Sequence, residues 1–271
     1  MTTRYSLDGV PVAAVPPDLA LYPYGAFTTF VAVDGTVLGW RRHLARLARG
    51  AEELWGHRLD HDRVRDAVRA HLADAASGDG TGPVTVRVTA YPADLRLAAP
   101  EEARGCRLLV SSSPATFPFE PVEGLTARTA QHTRALAHLK STDLLTQIRL
   151  RRDARLAGYD DALLVDGDRV LEGTTWSVLA WRGGTVGTPD ADVLDSITVA
   201  HLAEVAAGLG HAVERRTVTL ADLAAAELVL AVNVNAPARA LARVDDVDLR
   251  VDRPLLEAVA SAYSALPREP V

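Results

Sequence analysis

A chain of 271 residues, 48% of them hydrophobic, is long enough for two modest domains, each with its own core. Its net charge of −6, with arginines scattered rather than clustered, argues against a nucleic-acid binder. No apolar run is long enough to span a membrane, the start Met1-Thr-Thr-Arg-Tyr-Ser6 lacks a signal-peptide apolar stretch, and a single cysteine, Cys106, excludes an internal disulfide, so the chain reads as a soluble cytoplasmic protein.

Residues 1–20 read as a short strand and a proline-containing lead-in. Residues 25–33 and 36–38, joined by Asp34-Gly35, form a hairpin pattern. An amphipathic helix beginning with Arg42-His43-Leu44-Ala45-Arg46-Leu47 runs to about Leu54, and another spans about His61 to Ala75. Ala76-Ser-Gly-Asp-Gly-Thr-Gly-Pro83 carries loop chemistry. Residues 84–90 alternate as a strand and 107–112 make a second one, with Cys106 assigned to the core. The run 114–121, with three prolines, reads as an interdomain linker between a smaller domain (1–113) and a larger one (122–271) that carries Lys140.

Lys140 is the single lysine; the other 28 of the 29 basic residues are arginine. An arginine keeps its proton near neutral pH, whereas a lysine amine can be tuned into a nucleophile. A solitary lysine in this background points to a position fixed by chemistry rather than charge, although a leftover surface lysine would give the same count. Ser141, Thr142 and Asp143 are N-cap types, and Leu144, Leu145, Ile148 and Leu156 recur near helical spacing up to Gly158. Lys140 is thus expected just before a helix whose positive end would help lower its pKa. Residues 162–165 read as a buried strand, Asp166-Gly167 as a tight turn, and 169–171 as a return strand ending at Glu172. Gly173-Thr174-Thr175 permits close backbone approach, and 178–181 with 185–186 make a further hairpin. Val193-Leu-Asp-Ser-Ile-Thr198 precedes a helix of about 199–207; 213–218 and 227–233 read as strands, 220–225 as a short helix and 254–265 as a closing helix.

Three segments in order, Leu136-Ala137-x-Leu139-Lys140, Gly158-Tyr-Asp-Asp-Ala162 and Val170-Leu-Glu172-Gly173, resemble the class IV aminotransferase family, the fold type IV enzymes of pyridoxal 5′-phosphate (PLP). That family includes branched-chain and D-amino-acid aminotransferases and aminodeoxychorismate lyase. The resemblance implies an α+β, two-domain fold of the D-amino-acid aminotransferase kind. It implies that Lys140 forms a Schiff base with PLP and shuttles the α-proton, and that Glu172 pairs with the pyridine nitrogen. The His43-x-x-Arg46-Leu47 signature assigns Arg46 to the cofactor phosphate, where a guanidinium matches paired oxygens; alone, such an arginine reads as a solvated helix face. Ser196-Ile197-Thr198 matches the family's phosphate-binding helix start, with Val199 in place of the usual arginine. Thr174, Thr175 and Asn233 complete the implied cofactor set. Phe27, Thr28, Arg87, Arg96 and Trp176 are substrate candidates.

Two departures bear on the reaction. The family's Gly-Asp-Gly before the aromatic is Pro23-Tyr24-Gly25 here, and Phe27-Thr28-Thr29 looks more like the lyase version. Ser177 stands where the lyases carry asparagine, with Trp176 just before it. The leading expectation is a homodimeric PLP-dependent aminotransferase acting on small amino and keto substrates, with no nucleic-acid or membrane partner. Alternatives are a lyase releasing pyruvate and 4-aminobenzoate, and a non-catalytic relative that kept the fold.

Overall fold

A computed structural model describes residues 3–13, 22–76 and 82–271. Most of the loop expected at 76–83, and the end of the lead-in, lie outside these residues. The chain divides into two compact units: one takes in the chain up to Phe117 together with Leu139–Asp143 and Pro267–Val271, the other Pro118–His138 and Leu144–Leu266.

In the first unit, β1 (Arg4–Leu7), β2 (Val10–Val12), β3 (Ala26–Val33), β4 (Thr36–Val37), β5 (Val84–Tyr91) and β6 (Arg107–Pro114) form an antiparallel sheet. Its order is Glu269–Pro270, β4, β3, β5, β6, β1, β2. The β3–β4 turn works because Asp34 and Gly35 both adopt positive φ, the backbone a tight two-residue hairpin demands. Helix α1 (Trp40–Trp55) buries Trp40, His43, Leu44, Leu47 and Ala51, a three-to-four spacing that gives it one apolar face. Gly50 lets that face come close: a Cβ there would stand 2.5 Å from the Ala26 side chain of β3.

The Lys140 segment departs from expectation. Residues 139–143 belong with the first unit rather than the second. Main-chain hydrogen bonds are the cause: Phe27 N donates to the Lys140 carbonyl at 2.8 Å, Thr142 N donates to the Gly25 carbonyl at 2.9 Å, and Ser141 bridges Ala26. Lys140 therefore lies beside the start of β3, in the segment that precedes the helix expected after it, which begins at Leu145.

Helix α2 (His61–Ala76) of the first unit anchors His71 between two strands. The ring meets Ser6 Oγ through Nδ1 and Ser112 Oγ through Nε2, each at 2.8 Å, and all three residues are buried. Burial pushes the His71 pKa below its ordinary value, with Arg4 adding to the fall and Asp74 opposing it. The unfolded chain thus binds a proton at a pH where the folded chain does not. This contribution to stability is complete above the unfolded value near 6.5 and is lost as pH falls below it. Unfolding free energy measured in urea should drop from about pH 7 to about pH 5, and His71→Gln, uncharged throughout, should flatten that slope. An unchanged slope in the variant would remove His71 from the account.

The second unit is built on β7 (Val122–Gln131), α3 (Leu145–Leu156), β8 (Asp161–Asp166), β9 (Arg169–Gly173), β10 (Ser177–Arg182), β11 (Thr185–Pro189), α4 (Ile197–Gly208), β12 (Ala212–Arg216), α5 (Leu220–Ala224), β13 (Leu228–Val232), β14 (Arg239–Val244), β15 (Val247–Asp248) and α6 (Arg253–Ser264). The strands run β12-β11-β10-β13-β14-β7-β8-β9, with β15 on β14, and mix parallel with antiparallel pairs. Leu163, Val165, Val170, Val178, Val229 and Leu241 fill the core on one side of the sheet. Together with the first unit this is the expected α+β class, and strand and helix ends fall within a few residues of those read from the sequence.

Helix α3 is the exception. Its N-cap is Leu144, without a side-chain cap, so Ser141, Thr142 and Asp143 do not start it. Leu145, Ile148 and Leu156 are 77%, 63% and 71% exposed, while Gln147 and Ala154 are buried. The inward face is chosen by Arg151, which binds Asp161 of β8 through Nε at 3.0 Å and Nη2 at 2.8 Å.

Candidate active site

Within the first unit, five candidate residues gather at β3. The Arg87 guanidinium carbon lies 3.7 Å from the centre of the buried Phe27 ring, and Lys140 Nζ lies 4.8 Å from the same ring. Aromatic faces attract cations in this way. Half-buried on β5, Arg87 has its pKa pulled below the ordinary arginine value by desolvation. Thr28 points inward: its Oγ1 accepts from Arg46 Nη2 at 2.8 Å and lies 2.7 Å from His43 Nδ1. Bonded to both Arg46 and His43, the buried Thr28 hydroxyl holds Arg46 in place. The spacing of His43 and Arg46 on α1 puts both on the face packed against β3, which is why Arg46 is buried instead of solvated. Arg96 does not join this cluster; it sits on the surface, paired with Glu102.

Within the second unit, a cavity of roughly 680 Å³ is lined by Glu172, Arg134, Ser177, Leu194, Ser196 and Val199, among others. Its size falls in the ordinary range for small-molecule sites. Glu172 arrives at the end of β9 and is buried; its Oε1 accepts from Arg134 Nε at 2.6 Å and its Oε2 faces the Leu194 amide at 3.3 Å. Ser196 caps α4, its Oγ accepting from Val199 N, and the first intrahelical bond runs from Ala200 N to the Ser196 carbonyl. The opening amides of that helix have no intrahelical acceptor, and its positive end favours an anion. Ile197 and Thr198 themselves are buried.

Thr174, Thr175 and Trp176 turn elsewhere. Thr174 Oγ1 donates to Asp161 Oδ1 at 2.7 Å and Trp176 Nε1 donates to Asp161 Oδ2 at 3.0 Å. Arg151 Nη2 donates to Thr174 Oγ1 at 2.7 Å and to Thr175 Oγ1 at 2.5 Å. Trp176 belongs to the core cluster, not to a substrate surface, and a Cβ on Gly173 would overlap its ring. Asn233 ties off its own turn, Oδ1 accepting from the Asn235 and Ala236 amides at 3.1 Å, so its side chain shapes the loop after β13. The Cys106 thiol is buried and pushed up to about 11, mainly by desolvation, which makes it inert near neutral pH.

Residues 25–240 match the model of the family described as amino-transferase class IV. The chain belongs to that family. It is 29% identical over 135 residues to a probable branched-chain-amino-acid aminotransferase of Synechocystis, a match covering 48% of this chain and 44% of that protein. This class IV chain thus spans less than half the length of that relative. A branched-chain aminotransferase from Thermoproteus uzoniensis with norvaline shares the fold at a TM-score of 0.82, with 22% identity over 96% of this chain and 93% of that one. A hypothetical aminotransferase from Mycobacterium tuberculosis in a PLP-bound form does so at 0.80, with 21% identity over 97% and 98% of the two chains. Among the described residues, no helix is long and apolar enough to cross a membrane.

Sequence reasoning missed Arg134 and Asp161, the two residues that grip the segment from Glu172 to Trp176. Asp161 lies inside the quoted Gly158–Ala162 motif, but neither position alternates or repeats in a way that marks a site.

Proposed function

We propose that this class IV enzyme is a PLP-dependent aminotransferase acting through Lys140. The observation that carries the reading is Glu172, buried in the wall of a cavity that the start of α4 also lines. A buried carboxylate and a capped helix start are what a cationic ring nitrogen and a phosphate respectively require, so the donor set fits PLP. When bound, PLP supplies an electron-withdrawing ring that stabilises negative charge at the substrate α-carbon. Lys140 is the residue that would hold the cofactor through its ε-amine and, as a free amine once a substrate amine has displaced it, would carry the substrate α-proton. Glu172 is the residue that would keep a ring nitrogen protonated. The resemblance gives phosphate-binding roles to Arg46, which Thr28 holds, and to the first amides of α4, and both are donor types that would suit phosphate oxygens. A cytoplasmic homodimer belongs to the same reading.

Ser177 and Val199, two departures from the family pattern, both line the Glu172 cavity, which supports substrate choice being set there. The likeness to the Synechocystis branched-chain aminotransferase puts branched-chain amino acids first among donors. The test is a panel of branched-chain L-amino acids, D-amino acids and amines with a keto-acid acceptor, run beside pyruvate release from aminodeoxychorismate. Transfer from at least one donor is expected. Pyruvate release without transfer would replace this reading with the lyase, and neither activity, with no PLP absorption, would leave a non-catalytic relative.

A further inference from the structure

Arg134, half-buried, takes no part in the chemistry proposed for this site. Arg134 precedes the Lys140 segment in the chain, carries no family motif, and yet lines the same cavity as Glu172. We propose that Arg134 is a positioning residue for Glu172, a statement that rests on the PLP reading. The guanidinium is gripped at two points: Nε donates to Glu172 Oε1 at 2.6 Å and Nη2 donates to the Ala137 carbonyl at 2.5 Å. The two side chains are 12% and 7% exposed, so water supplies little competition. Charge-assisted bonds of this length are the stronger kind, and a fork held by a backbone carbonyl at one end cannot swing.

Oε1 accepts from Arg134 and Oε2 accepts from the Leu194 amide at 3.3 Å, so both oxygens are fixed in place while each keeps a lone pair that could serve a ring nitrogen. A glutamate without this anchor would have several rotamers to lose on binding; here that ordering is done before the cofactor arrives. Val199 stands in the same cavity at the position where the family pattern carries an arginine.

The test is PLP affinity of the apo protein by equilibrium dialysis, in a cycle of wild type, Arg134→Met, Glu172→Gln and the double variant. Arg134→Met should weaken binding about tenfold or more, the size expected for a lost charged hydrogen bond. Because Arg134 acts through Glu172, the double variant should bind no more weakly than Glu172→Gln alone; a merely structural residue would give losses that multiply. Arg134→Lys, which keeps the charge but cannot hold Glu172 and Ala137 together, should restore part of the affinity. Multiplying losses, or a folded Arg134→Met within about twofold of wild type, would overturn the proposal. If Arg134→Met does not fold, Arg134→Lys carries the same cycle, with roughly threefold weaker binding expected and wild-type affinity as the overturning result. A wild-type protein that binds no PLP would instead sink the functional reading on which this one rests.

Discussion

Lys140→Ala should lower amino transfer on the order of 10⁴-fold or more and remove the visible absorption of bound PLP. No other residue in the chain offers an ε-amine to take over. The fold should survive the change. Lys140 is held in place by its main chain, through its carbonyl to Phe27 N, and its half-buried side chain adds a cation contact with the Phe27 ring. Unfolding in urea should therefore shift by less than about 1 kcal/mol. Lys140→Arg separates charge from nucleophilicity: it keeps a cation on Phe27 but cannot form the bond to the cofactor, and should be as inactive as the alanine variant. Activity within tenfold of wild type in either variant, or a persisting PLP band, would end the assignment of Lys140.

The largest loss of stability is expected from Asp161→Ala. This buried carboxylate receives five hydrogen bonds: two from Arg151, and one each from Thr174, Trp176 and the Ala162 amide. Truncation leaves a partly buried guanidinium, a hydroxyl and an indole N–H facing an empty space. Removing one partner of a buried pair costs roughly 3–5 kcal/mol, and the lower end applies because the Arg151 side chain is about a third exposed. Urea unfolding followed by circular dichroism should show the drop. The effect should reach the site as well, because Asp161 fixes Thr174 and Trp176, and these terminate the strand that delivers Glu172. PLP affinity should fall with stability. A loss under about 1 kcal/mol would mean that the network is ornamental to the fold.

Most elements were legible in the sequence because local pattern and tertiary environment agree. Asp34-Gly35 and Asp166-Gly167 announce their turns, and Gly35 and Gly167 both adopt the positive φ those turns need. The alternation at 84–90 matches a strand paired on both sides, and the spacing of α1 matches its buried face. Helix α3 was misjudged because periodicity reports an apolar stripe but not which side faces inward; the Arg151–Asp161 pair overrode Leu145, Ile148 and Leu156. The cap expected at 141–143 was misjudged because cap residue types say nothing about a main-chain bridge to a strand more than a hundred residues earlier. Trp176 looked like pocket bulk in the sequence, and its hydrogen bond to Asp161 draws it into the core instead.

By itself, then, the sequence determined the family and put forward the amine and the carboxylate on which the proposed function rests, since a sole lysine, a strand-end glutamate and a His-x-x-Arg helix are written in residue identity and order. Only the tertiary structure decided how those groups are held: Arg46 by Thr28, Glu172 by Arg134, and the turn after Glu172 by Asp161. The physical reason is range. Turn chemistry and periodicity act over a few residues, whereas a buried charge takes whichever partner folding delivers, and that partner leaves no trace in its neighbours along the chain.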